Sequence, residues 1–69
     1  MKNNFLTPRE RQIFDLLVRQ YDTNEIALKL NISAKTVRNH ISNVMQKLDV
    51  KGRSQAIIDL IRMNELKLG

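Results

Sequence analysis

Val37, Ile41, Val44 and Leu48 are spaced by four, three and four residues. At 100° per residue they fall at about 0, 40, 340 and 20° around a helix, which makes one narrow apolar stripe. No alternating apolar run marks a strand anywhere in the chain. Ser33 stands at the head of the stripe as a helix cap, so a helix is predicted over about 34–48. Two further starts precede it. Thr7-Pro8-Arg9-Glu10 offers a capping hydroxyl, a proline suited to the first helical position and a glutamate three residues after the cap. Asp22-Thr23-Asn24-Glu25 repeats the device with an acid as the cap.

The first start opens a helix over about 8–20. Ile13, Phe14, Leu16, Leu17 and Val18 make its inner stripe, and Arg9, Arg11, Gln12, Asp15 and Arg19 its wet side. Arg11–Asp15 and Asp15–Arg19 are expected four-residue charge pairs. The second helix spans about 23–30, with Ile26, Ala27 and Leu30 inward. Asn31 tolerates the left-handed conformation that ends a helix, and Ile32 plugs the turn into the core. After the third helix comes the loop Asp49-Val50-Lys51-Gly52-Arg53, with one apolar anchor and two cations. A fourth helix is predicted over about 54–63, with Ile57, Leu60 and Ile61 facing the core and Ile58 and Arg62 outward. The tail from Asn64 onward is expected to fray. The fold class is all-α: one four-helix domain filling residues 1–69.

The chain has 69 residues, 12 Lys+Arg, 7 Asp+Glu and a formal charge of +5. That balance favours a polyanionic partner, nucleic acid first. It holds no cysteine, so disulfides and thiolate metal sites are excluded. His40 is the only imidazole, and no nucleophile–base pair or metal set can be assembled around it. Neither a catalytic activity nor a cofactor is expected. No apolar run approaches the roughly 18 residues of a membrane span, and Met1-Lys2-Asn3-Asn4-Phe5 does not open a signal peptide. The expectation is a soluble cytoplasmic protein working at the nucleoid.

The short second helix, the tight turn Leu30-Asn31-Ile32-Ser33 and the longer third helix make the pattern of a helix-turn-helix. Opposite the stripe of the third helix lie Lys35, Asn39, Ser42 and Gln46, at about 160, 200, 140 and 180°. Arg38 flanks them near 100°, and Thr36, Asn43, His40 and Lys47 lie at about 240–300° on the other side. No acid occurs between Asn31 and Gln46. Lysine and arginine can donate to guanine O6 and N7, and asparagine can pair with adenine. Hydroxyls and helix N-terminal amides can reach phosphates. A protein-interaction module with only non-specific DNA affinity fits the apolar fourth helix but not the acid-free face. RNA binding by stacking is disfavoured, because only Phe5, Phe14 and Tyr21 are aromatic and Phe14 belongs to the core stripe.

Leu6-Thr7-Pro8-Arg9-Glu10-Arg11, Asn24-Glu25-Ile26-Ala27, Ile32 to His40, Lys47-Leu48 and Arg53-Ser54 together resemble the LuxR/FixJ-type helix-turn-helix family over about residues 5–68. The runs from Lys35 to Lys47 and from Lys51 to Ala56 are most similar to its stand-alone branch, which regulates late sporulation genes. The resemblance implies a four-helix DNA-binding domain that dimerises through its last helix and regulates bacterial promoters, with RNA polymerase as a further partner. It places base reading on Arg38, Asn39 and Ser42, with Lys35 beside them. It places phosphate contacts on Thr36, His40 and Lys47, and more loosely on Ser33, Lys51 and Arg53. The dimer seam falls on Ala56, Ile57, Ile58, Leu60, Ile61 and Arg62. Arg9, Gln12 and Asp15 are the candidates for a polymerase contact. Most relatives carry an N-terminal sensor domain, for which this chain leaves no room, so control is expected to rest on synthesis. Gln20, Asp49 and Asn64 stand where the family commonly has glycine, which leaves the end of the first helix open.

Overall fold

The computed structural model describes residues 5–67. Its helices are α1 (Pro8–Val18), α2 (Thr23–Leu30), α3 (Ala34–Leu48) and α4 (Arg53–Arg62). No strand occurs among the described residues. Residues 1–4, part of the segment read against a signal peptide, lie outside them, as do Leu68 and Gly69 of the tail.

Each expected cap forms. Thr7 Oγ1 accepts from the Glu10 N–H at 3.1 Å, and the Glu10 carboxylate accepts from the Thr7 N–H at 2.9 Å. Asp22 and Glu25 repeat this reciprocal box at 2.8 and 2.9 Å. Ser33 Oγ accepts from the Thr36 N–H at 3.0 Å. The fourth helix differs: it begins one residue earlier than expected, at Arg53, and Gly52 at its cap position supplies no side-chain bond.

All four helices end in the same way. Gln20, Asn31, Asp49 and Asn64 hold left-handed backbones, with φ of 71, 57, 57 and 62°. Around each, the next residue's N–H returns five positions, as in Tyr21 to the Leu16 carbonyl at 3.1 Å and Glu65 to the Leu60 carbonyl at 2.8 Å. The left-handed residue's own N–H bonds three positions back, as in Gln20 to Leu17 at 2.9 Å and Asn64 to Ile61 at 3.0 Å. This is the Schellman arrangement, which satisfies carbonyls that a helix end leaves open. Gln20 therefore takes the glycine conformation without being glycine, and α1 stops at Val18 rather than near residue 20. The apolar residues that follow, Tyr21, Ile32 and Val50, pack on the core.

The core is built from Ile13 and Phe14 of α1, Ile26 and Ala27 of α2, Val37, Ile41 and Val44 of α3, and Ala56 and Leu60 of α4, closed by Leu6 and Leu66. Leu16, Leu17, Val18 and Leu48 are only half-buried. The tail corrects an expectation. Glu65 and Leu66 are 4% and 3% exposed, so the chain is packed through Leu66 rather than frayed from Asn64. The turn at Asn64 sends Leu66 into the core, and Arg11 grips Glu65 at both its carboxylate (2.6 Å) and its backbone carbonyl. Arg11 is thus drawn from its expected partner Asp15. Among the described residues, Arg11–Glu65 and Lys47–Glu10 are the ion pairs within 4 Å.

Candidate nucleic-acid interface

The apolar stripe of α3 determines what its other face can do. Val37 and Val44 are fully buried and Ile41 is 2% exposed, against α1, α2 and α4. Burying that stripe turns Lys35, Arg38, Asn39 and Ser42 outward, and all four are exposed. Asn43 and Gln46 are exposed as well, so the polar face runs a further turn along the helix. Gln46 was legible from its position opposite the stripe, though not as a site residue. Thr36 and His40 lie half-buried on the flank.

The turn that aims α3 is short. Asn31, Ile32 and Ser33 connect α2 to α3, and Ile32 anchors the connection by packing on the core. Ser33 Oγ caps the Thr36 N–H and lies 2.9 Å from the Thr36 hydroxyl. Lys51 is exposed in the loop before α4 and Arg53 is exposed as its first residue, where no side chain caps the helix.

Lys47 is placed differently from its flank mates. Its ammonium donates to Glu10 Oε1 at 2.7 Å and to the Phe5 carbonyl at 3.1 Å, and lies 5.3 Å from the centre of the Phe5 ring. Burial pushes the Glu10 carboxyl up. The Lys47 ammonium, the Thr7 N–H and the nearby His40 charge outweigh it and hold the carboxyl below its ordinary 4.5. Glu10 is the residue that sequence reasoning missed in this region, because its partner lies 37 positions away. No local signal announces such a pair.

The seam residues on α4 divide. Ala56 and Leu60 are fully buried in their own domain and have no surface to offer a partner, which corrects their assignment. They face inward because they lie four residues apart on the side of α4 that meets α3. Ile57 and Ile61 are half-buried, Ile58 is 44% exposed, and Arg62 is exposed. No group of three or more His, Cys, Asp or Glu side chains able to hold a metal lies among the described residues, and no helix there is long and apolar enough to cross a membrane.

A buried stripe, a short turn and an exposed cationic and amide face on the second helix of the pair define a helix-turn-helix DNA-binding domain. The match to the family model described as bacterial regulatory proteins, luxR family, extends over residues 4–60, and the chain belongs to that family. It is 67% identical over 63 residues to the spore germination protein GerE of Bacillus subtilis, covering 91% of this chain and 85% of that protein. A solved structure of the transcription factor GerE superposes with a TM-score of 0.94 at 61% identity, covering 97% of this chain and all of that one. The transcriptional regulatory protein DegU of Brevibacillus brevis is 38% identical over 94% of this chain, which spans only 28% of DegU. The chain is thus a DNA-binding transcription regulator rather than an enzyme.

Proposed function

We propose that the protein reads bacterial promoter DNA as a homodimer, with α3 of each subunit in successive major grooves. Arg38, Asn39 and Ser42, with Lys35 beside them, read base edges; Ser33, Thr36, His40, Lys51 and Arg53 meet the phosphates. The carrying observation is that Lys35, Asn39 and Ser42 are exposed on the side of α3 opposite buried Val37, Ile41 and Val44, with Arg38 exposed on its edge. Ile57, Ile58, Ile61 and Arg62 form the seam. They leave an apolar strip on a small domain whose stability gains from covering it. RNA polymerase is the further partner, and the site of action is the nucleoid in the cytoplasm. The likeness to a spore germination protein supports sporulation promoters as targets.

Selection from a random duplex pool at about 150 mM salt tests this, since weakly specific phosphate binding fades at that strength. The expected product is a pair of related half-sites about 10 bp apart, or a multiple of that. A single unpaired half-site would remove the dimer. Absence of any enriched motif would remove base reading by α3.

A further inference from the structure

Glu10 caps α1, but its carboxylate also faces the flank of α3. It is 4% exposed, and its Oε1 takes both the Thr7 N–H at 2.9 Å and the Lys47 ammonium at 2.7 Å. A second ammonium proton goes to the Phe5 carbonyl at 3.1 Å, with the Phe5 ring beneath. Lys47 nevertheless shares its flank with Thr36 and His40, and 36% of its side chain remains exposed. A free lysine there would meet phosphate. A lysine strengthens DNA binding chiefly by displacing a counterion condensed on the duplex. One already neutralised by a carboxylate in contact displaces little, because the pair carries no net charge.

We propose that Glu10 limits the affinity of this protein for DNA by withholding Lys47 from the phosphates. The ammonium is used instead to pin Phe5 and the start of α1 to the C-terminal half of α3. Glu10 is thus a positioning residue that lowers the number of working cations on the α3 flank by one. This inference rests on the docking of α3 described above.

Salt titration of binding to one duplex tests it, with wild type, Glu10→Gln and the double variant Glu10→Gln/Lys47→Met. Glutamine keeps the cap, since its amide oxygen can still accept the Thr7 N–H. Glu10→Gln is expected to bind more tightly at low salt. Its plot of log affinity against log salt should be steeper by about 0.9, so that a fourfold rise in salt costs it roughly threefold more affinity than wild type. The double variant is expected to return to the wild-type slope. An unchanged or shallower slope for Glu10→Gln overturns the proposal, and so does a double variant that keeps the steeper one.

Wild-type protein supplies a check that needs no variant to fold. Under mild lysine acetylation read by mass spectrometry, Lys47 should react more slowly than Lys35 and Lys51 and be unaffected by DNA, while those two become protected. Lys47 reacting like Lys35 and becoming protected by DNA overturns the proposal. Lack of protection at Lys35 and Lys51 is a different result: it overturns the docking of α3, and this inference with it.

Discussion

The Lys47 ammonium lies 2.7 Å from Glu10 Oε1, joining the first turn of α1 to the last turn of α3. Each side chain already has a local place, Glu10 in a capping box and Lys47 at the negative end of its helix. Their meeting fixes how far along α3 the N-terminal chain is held. It also places the carboxylate beside the flank assigned to phosphate contact, with its charge cancelled.

The Glu10 carboxyl is held below its ordinary value, so its contribution to stability is present above about pH 4.5 and is lost as pH falls through the folded-state value. Urea denaturation of wild type and Glu10→Gln across this range checks the sign. Near neutrality wild type is expected to be more stable by about 1 kcal/mol, the excess of a hydrogen bond to a charged group over a neutral one. The difference should shrink on acidification. A gap that keeps its full neutral size well below pH 4.5 would mean that the carboxylate charge is not its source.

Gln20 holds a φ of 71°, a region where a side chain costs about 1–2 kcal/mol and glycine costs nothing sterically. Part of that gain returns as added freedom of the unfolded chain. Gln20→Gly is therefore expected to stabilise the domain by about 0.5–1 kcal/mol. Thermal melting should show a midpoint a few degrees higher, with DNA affinity unchanged. A lower midpoint would mean that the Gln20 side chain contributes more than its backbone strain costs.

Leu66 is 3% exposed and closes the core after the Asn64 turn. Leu66→Ala is expected to destabilise by about 2–4 kcal/mol, as a buried leucine does and a frayed one does not. Chemical denaturation measures it directly. A change within about 0.5 kcal/mol, typical of surface positions, would restore the fraying tail.

Arg38 and Arg53 are both exposed cations, but they are assigned different tasks. Arg38→Ala is expected to lose about 1–3 kcal/mol on the best site and to relax base choice at one position. Arg53→Ala should weaken every sequence alike and reduce the salt slope by about 0.9. Affinities on a panel of singly substituted sites at two salt concentrations separate the two patterns. Identical profiles for both variants would overturn the division of roles.

Local chemistry made much of this protein legible in its sequence. A cap and the residue three positions on are neighbours in any helix, so Thr7–Glu10, Asp22–Glu25 and Ser33–Thr36 could be read without a fold. The stripe of Val37, Ile41 and Val44 likewise named its own opposite face, and Lys35, Asn39 and Ser42 lie there with Arg38 at its edge. Family resemblance added roles to those positions, whereas periodicity supplied only their direction.

Tertiary structure decided the pairings between distant residues. Arg11 had an acid four residues away in Asp15, yet it meets Glu65, 54 positions on, because the Asn64 turn brings a nearly buried carboxylate within reach. Lys47 had the profile of a free phosphate contact until the packing of α1 on α3 set Glu10 beneath it. On α4, Ala56 and Leu60 went to the core and Ile58 stayed outside. Helical periodicity gives the angle of each side chain about its own axis. Only packing against the other helices selects which of those angles is buried and which distant charges come into contact.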